Sequence, residues 1–277
     1  MTNQLDFSDI QLIALDMDGT TLNPNHYLSK RTIQAIGAIQ EKGIKIIFAT
    51  GRMIGAVRQH FEEAKIDGLV IAHNGAFVMD LKSNAVYLDQ KVDSTIVKEV
   101  CHYAKTNQIV LHYNMQENVI IEKENDLSKK YASELNITYS YSDDLNKYKE
   151  QPTSLLLLQK KNILVKTLDD IVKLNLNHLN YVLIPWYDDY WMLQFLPNDT
   201  SKGKAVMKVA GQLGLNKDQV MSFGDSYNDL EMISNSGIGV AMGNACTTLK
   251  EIADYVTLSN AEDGVAFILE KMLTTIS

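Results

Sequence analysis

The chain has 277 residues, 45% of them hydrophobic and 22% charged, and a formal net charge of -8 at pH 7. That length allows a large core and more than one structural unit, in a composition ordinary for a soluble globular enzyme. The acidic balance disfavours nonspecific attraction to nucleic acid or anionic lipid, so a small anionic ligand would need cations placed locally. Residues 1–9 are polar and no segment is long and apolar enough to span a bilayer. Cys101 and Cys246 lie far apart with no C-x-x-C spacing. A cytoplasmic protein with no membrane partner is expected.

In chain order, the apolar run Ile10, Leu12, Ile13, Ala14 and Leu15 predicts a buried strand, and Asp16-Met17-Asp18-Gly19-Thr20 follows at its carboxyl end. Open α/β sheets place their chemistry there. Residues i and i+2 of an extended segment point the same way, so Asp16 and Asp18 are expected to share one site, where two anions need a cation or a shared proton. A solvated turn could carry the same string. A calcium loop could not, because Gly19 stands fourth rather than sixth and Tyr27 occupies the twelfth position.

A helix is expected from about Ser29, with Ile33, Ile36 and Ile39 at helical spacing and Gly43 as its left-handed stop. The next strand, 44–49, runs into Thr50-Gly51-Arg52. These three offer a hydroxyl, a close backbone approach and a guanidinium, although taken alone they are better accounted for by an ordinary strand-to-helix turn. A helix to about Lys65 and a strand at 69–72 complete a pattern of βαβ units and a parallel sheet.

Residues 84–196 change character, with strands at 109–113, 119–122, 154–159, 181–185 and 191–196 and helices near 94–106 and 162–174. This reads as an α+β insertion built on an antiparallel sheet. Trp186 to Trp191 reads as an aromatic-rich hairpin tip, packed on the insertion's helices or a second subunit, or serving recognition. The alternating pattern then resumes with helices at 201–213, 228–234, 245–252 and 262–273 and strands at 220–223, 238–241 and 255–256. The fold class is therefore α/β, a Rossmann-like parallel-sheet core of residues 1–83 and 197–277 split by an inserted α+β cap of residues 84–196. The short crossings suit a hinged lid.

Two more loops carry chemistry. Ser201-Lys202-Gly203-Lys204 sets an ammonium at a helix N-terminus, where the dipole disfavours it unless an anion is bound; a solvated lysine pair is the plainer account. Gly224-Asp225-Ser226-Tyr227-Asn228-Asp229 follows an apolar strand and opens a helix, so an acidic N-cap explains one aspartate but not the set. By contrast, the glycines of Gly237-Ile238-Gly239-Val240-Ala241-Met242-Gly243 bracket a strand instead of opening a helix, which argues against a dinucleotide fingerprint.

Taken together and in this order, Asp16 to Leu22, Thr50 to Arg52, Lys202 and Gly224 to Asp229 resemble the four motifs of the haloacid dehalogenase-like phosphohydrolase superfamily. His73-Asn74-Gly75-Ala76, Met242-Gly243-Asn244-Ala245, Ala253 to Thr257 and Ser259-Asn260 to Ala266 resemble its Cof-type branch, which carries a large α+β cap. The resemblance covers the core; the cap matches in position and size more than in sequence, and Gln194 stands where many relatives carry glutamate.

The resemblance implies a Mg²⁺-dependent phosphatase acting on small phosphorylated metabolites through an aspartyl-phosphate. Asp16 would be the nucleophile and Asp18 the general acid-base. Mg²⁺ would be held by the Asp16 carboxylate, the Asp18 backbone carbonyl and Asp225. Lys202, Thr50, the Gly51 backbone and Asn228 would hold phosphoryl oxygens, with Asp229 orienting Lys202 or a metal-bound water. Arg52 and Asn74 would face the leaving group or serve structural roles. A phosphomutase of the same superfamily and a non-catalytic phosphate-binding module are the alternatives.

Overall fold

The computed structural model describes residues 6–276. Residues 1–5 and Ser277, which fall within the expected catalytic core, lie outside the described residues. The chain divides into two compact units, one of residues 1–51, 58–87 and 201–277, the other of residues 52–57 and 88–200.

The first unit is built on an eight-stranded sheet of order β14-β13-β12-β1-β2-β3-β4-β5. Its strands are β1 (Leu12–Asp16), β2 (Lys45–Ala49), β3 (Leu69–Ala72), β4 (Phe77–Asp80), β5 (Val86–Asp89), β12 (Val220–Gly224), β13 (Ile238–Ala241) and β14 (Tyr255–Val256). The helices in and between these strands are α1 (Lys30–Glu41), α2 (Ile54–Ala64), α6 (Lys202–Gln212), α7 (Leu230–Asn235), α8 (Thr247–Ile252) and α9 (Gly264–Thr275). Every residue of β1 is buried, as its apolar run requires of a strand covered on both faces. The Ser29 side chain caps α1 by accepting from the Thr32 N–H, and Gly43, at φ 83°, turns the chain toward β2.

The six strands from β14 to β3 are parallel, but β4 runs antiparallel to β3. The expected all-parallel pattern thus holds up to β3 and gives way to a hairpin-like edge, because Asn74 and Gly75 reverse the chain with positive φ. β1 lies between β2 and β12, so the strand order switches direction at β1. Ligands of open α/β sheets bind at such a point.

The second unit contains α3 (Ser94–Thr106), β6 (Leu111–Asn114), β7 (Val119–Ile121), α4 (Asp126–Leu135), β8 (Tyr139–Tyr141), β9 (Ser154–Lys160), α5 (Lys161–Val172), β10 (Asn180–Tyr187) and β11 (Tyr190–Leu196). Its sheet has the order β10-β11-β9-β6-β7-β8. All pairs in it are antiparallel except β7 with β8, which run parallel because α4 carries the chain back between them. Val97, Val100, Leu111, Leu155, Leu157, Leu164, Ile171, Leu193 and Phe195 form its main core.

The aromatic hairpin tip packs against α4: the Trp186 ring meets Tyr131 edge-on at 5.8 Å, and Trp186 Nε1 donates to Glu134 Oε2 at 2.8 Å. No helix among the described residues is long and apolar enough to cross a membrane.

Candidate active site

Strand register assembles the site. In the parallel ladder Asp16 pairs with Ala49 of β2, and Leu15 pairs with Phe223 of β12. Asp16, the Thr50-Gly51 turn and the Gly224-Asp225 turn therefore leave the sheet side by side at its carboxyl edge.

Residues 17–21 then wind into one tight turn in which the Leu22 N–H donates to the Met17 carbonyl at 2.8 Å and Gly19 adopts φ 74°. A Cβ on Gly19 would run into the Asp225 carboxylate, so glycine is required by both conformation and space. Asp18 keeps an extended backbone, at φ -73° and ψ 125°, but lies in this turn rather than on the strand. The strand ends at Asp16, and the carboxylates that converge within 4.8 Å are those of Asp16, Asp225 and Asp229. Asp18 is half-exposed, with Oδ1 3.6 Å from His26 Nδ1. What it could lend to a cation beside Asp16 is its backbone carbonyl.

Lys202 is fully buried, although it opens α6. Its Nζ donates to Asp16 Oδ1 at 2.5 Å and to Asp229 Oδ1 at 2.7 Å. Those carboxylates, rather than solvent, answer the unfavourable helix dipole. Burial works against the ammonium, but Asp16 and Asp229 outweigh it and hold Lys202 charged, above the ordinary lysine range.

Asp229 spends both oxygens locally, since Oδ2 accepts the backbone N–H groups of Asp225 and Ser226 at 3.1 and 3.0 Å. Of the two groups it was expected to orient, Lys202 is the one hydrogen-bonded to it here. Asp16 and Asp225 keep oxygens for other work.

Three carboxylates against one ammonium leave a surplus of negative charge. Burial first, and then the neighbouring Asp229, push Asp16 well above the carboxylate range, with Lys202 pulling the other way. The same two causes push Asp225 up to about 7. A group of anions that holds protons in the absence of a cation is a fitting place for one. Oxygen ligands from carboxylates and a backbone carbonyl suit a hard divalent ion such as Mg²⁺.

The remaining expected residues fall in two places. Thr50 is buried and Gly51 adjoins Asn74, whose backbone N–H donates to the Thr50 carbonyl at 2.9 Å. Asn228 Nδ2 donates to Asn74 Oδ1 at 2.8 Å. Arg52 is buried but opens the segment 52–57, which groups with the second unit rather than with these loops.

Three residues were not singled out in sequence. The Thr20 hydroxyl lies 3.5 Å from Asp225 Oδ1. Asn244 Nδ2 donates to the Gly19 carbonyl and Asn260 Nδ2 to the Leu22 carbonyl, each at 2.8 Å, so two distant asparagines clamp the turn after Asp16. Their only signal was membership in the strings Met242 to Ala245 and Ser259-Asn260.

A buried carboxylate at a sheet switch point, paired with a buried lysine and flanked by a second acidic loop, defines an α/β enzyme of the phosphoryl-transfer kind. Residues 13–269 match the family of haloacid dehalogenase-like hydrolases. The chain is similar to two Bacillus subtilis proteins, each named as a 5-amino-6-(5-phospho-D-ribitylamino)uracil phosphatase. With YcsE it shares 30% identity over 276 residues, covering 96% of this chain and 97% of that one. With YitU it shares 28% over 274 residues, covering 94% and 96%. Among solved structures it resembles a haloacid dehalogenase-like hydrolase from Bacteroides thetaiotaomicron, with a TM-score of 0.85 and 26% identity over 95% of this chain and 99% of that one. The chain belongs to the haloacid dehalogenase-like hydrolase family, in its Cof-type branch of phosphatases.

Proposed function

We propose that this chain is a Mg²⁺-dependent phosphatase that hydrolyses small phosphate monoesters through an aspartyl-phosphate on Asp16. The observation that carries the reading is the Asp16-Lys202-Asp229 cluster, in which a buried carboxylate at the sheet switch point is oriented by an ammonium and stands beside Asp225. In the first half-reaction the Asp16 carboxylate oxygen bonds to phosphorus as the ester P–O bond breaks, and Asp18 gives its proton to the departing alkoxide. In the second, Asp18 takes a proton from water as that water attacks phosphorus and releases Asp16 and phosphate.

Half-exposure of Asp18 suits a group that must reach both the departing alkoxide and the incoming water. Lys202, Thr50, the Gly51 backbone and Asn228 would hold the phosphoryl oxygens, where charge is spread in the transition state. Mg²⁺, held by Asp16, Asp225 and the Asp18 carbonyl, would supply charge neutralisation between an anionic nucleophile and an anionic substrate.

Residues 84–196 would act as the cap that selects the leaving group. The two relatives named for a ribitylaminouracil phosphate make phosphorylated sugar alcohols and their heterocyclic conjugates the first substrates to try, ahead of sugar phosphates. Phosphate release from a broad monoester panel, with and without Mg²⁺, tests the function. Release without an added bisphosphate primer separates hydrolysis from mutase chemistry, and failure on the whole panel would favour a non-catalytic phosphate-binding module.

A further inference from the structure

We infer that Asn74 is a positioning residue of the phosphoryl site, acting through the Asn228 amide rather than on a leaving group; the inference rests on the phosphatase reading above. Asn74 sits in the turn between β3 and β4 at φ 52° and ψ 32°, and it is 1% exposed. Few residue types other than glycine accept that left-handed conformation readily, and asparagine is one of them. Of the two, only asparagine brings an amide.

That amide is committed. Oδ1 of Asn74 accepts from Asn228 Nδ2 at 2.8 Å. A Cβ on residue 51 would come within 3.0 Å of Asn74 Nδ2, so glycine at 51 is what leaves the amide room against the Thr50-Gly51 backbone. The backbone N–H of Asn74 donates to the Thr50 carbonyl at 2.9 Å. The next residue, Gly75 at φ 108°, leaves no room for a Cβ against the Ser201 carbonyl, one residue before Lys202. One three-residue turn thus touches all three loops proposed to hold the phosphoryl oxygens.

A carboxamide can rotate by half a turn and exchange its donor and acceptor edges. If Asn228 did so, its oxygen would face Asn74 Oδ1, two acceptors with no proton between them. With Asn74 oriented as it is here, its acceptor fixes the Asn228 amine edge and leaves the second Asn228 N–H for a phosphoryl oxygen. Without Asn74 both orientations are open to Asn228, and one of them presents an oxygen to an anion.

The test uses the full chain with Mg²⁺ and compares Asn74→Gly, Asn228→Ala and the double variant. Asn74→Gly keeps the left-handed backbone and removes only the amide. The readouts are inhibition by inorganic phosphate and by orthovanadate, kcat and KM separately for two monoesters with unlike leaving groups, and the thermal midpoint.

The expected result is about a tenfold loss in phosphate and vanadate inhibition for Asn74→Gly, the scale of one hydrogen bond, equal for both monoesters in kcat/KM. Asn74→Gly should add little once Asn228 is alanine. Additive losses, unchanged inhibition by phosphate and vanadate, or an effect confined to one leaving group would each overturn the inference.

Should Asn74→Gly lose its thermal transition, Gly51→Ala presses on the same amide from its other side and must likewise be non-additive with Asn228→Ala; additivity there overturns the inference too. Asp16→Asn is assayed in parallel. Turnover in that variant overturns the phosphatase reading itself, whereas its loss alongside additive Asn74 and Asn228 effects overturns the positioning role alone.

Discussion

In the first unit, acidic and basic side chains withdrawn from solvent meet at one point, Asp16, Lys202 and Asp229. Residues 88–200 bury His112, Asn114, Ser154 and Gln194 but, among the described residues, no carboxylate, lysine or arginine; the second unit's buried cation is Arg52, in its segment 52–57. The neutral groups pair in part, and Asn114 Oδ1 is left without a hydrogen-bond partner among the described residues. Asn114 Nδ2 and Gln194 Nε2 both donate to Ser154 Oγ, at 3.1 and 2.9 Å. Burial holds the His112 imidazole neutral, down to about 4.

Desolvating an ion costs several kcal/mol even after relaxation, whereas a paired neutral amide is close to break-even. A cluster with surplus charge is thus costly as mere structure, and among the described residues only the first unit holds one.

The sharpest way to break that contrast is Asp16→Asn. Turnover should fall by roughly 10⁴-fold or more, as for removal of a nucleophile. The thermal midpoint of the metal-free protein should hold or rise, because one anion leaves a surplus. A variant that loses stability along with activity would show the carboxylate to be structural.

Next in size is Lys202→Met, which strands Asp16 and Asp229 without their cation. A cost of about 3–5 kcal/mol in denaturant unfolding is expected, together with loss of turnover.

In the neutral cluster of the other unit, Ser154→Ala removes the acceptor shared by two amides. About 1–3 kcal/mol should be lost there, with kcat on a minimal phosphate ester nearly unchanged. Equal losses from Lys202→Met and Ser154→Ala would erase the distinction between the units.

The last test is linkage to pH. Asp225 rises from an ordinary 3.8 to about 7, so the folded metal-free protein holds a proton there that the unfolded chain has released. That stabilisation is full below about pH 4 and is lost as pH climbs through about 7. Bound Mg²⁺ replaces the proton, so its effect on the thermal midpoint should be larger at pH 8 than at pH 5, by about 2–4 °C for each kcal/mol regained. A Mg²⁺ effect independent of pH would separate Asp225 from the metal.

Legibility in the sequence followed the range of the forces involved. β3, α3 and β13 begin and end where periodicity and capping put them, because those signals are local. The stripe Leu127, Tyr131 and Leu135 of α4 is too narrow to stand out, and β8 needs α4 to reach its partner, so the parallel β7 and β8 pair could not be read from alternation.

Within the site, Asp16, Lys202, Asp225 and Asp229 were visible as residue types at strand ends. Their mutual contacts span 186 residues between Asp16 and Lys202 and 27 between Lys202 and Asp229, and no local pattern encodes that. The strand runs one residue past the expected Leu15, because its last residue is set by what its neighbours can pair with, not by its own propensity.

The strand that presents Asp16 is bonded to parallel neighbours on both sides, and none of its five residues reaches solvent. Amides in such a place exchange with deuterium only when the whole unit opens. Asp16 is therefore carried by the slowest-exchanging part of its unit, while Asp18 lies beyond the strand end, in a turn held by the side chains of Asn244 and Asn260. A partial opening that broke those two bonds would release Asp18 and keep the Asp16 carboxylate in register.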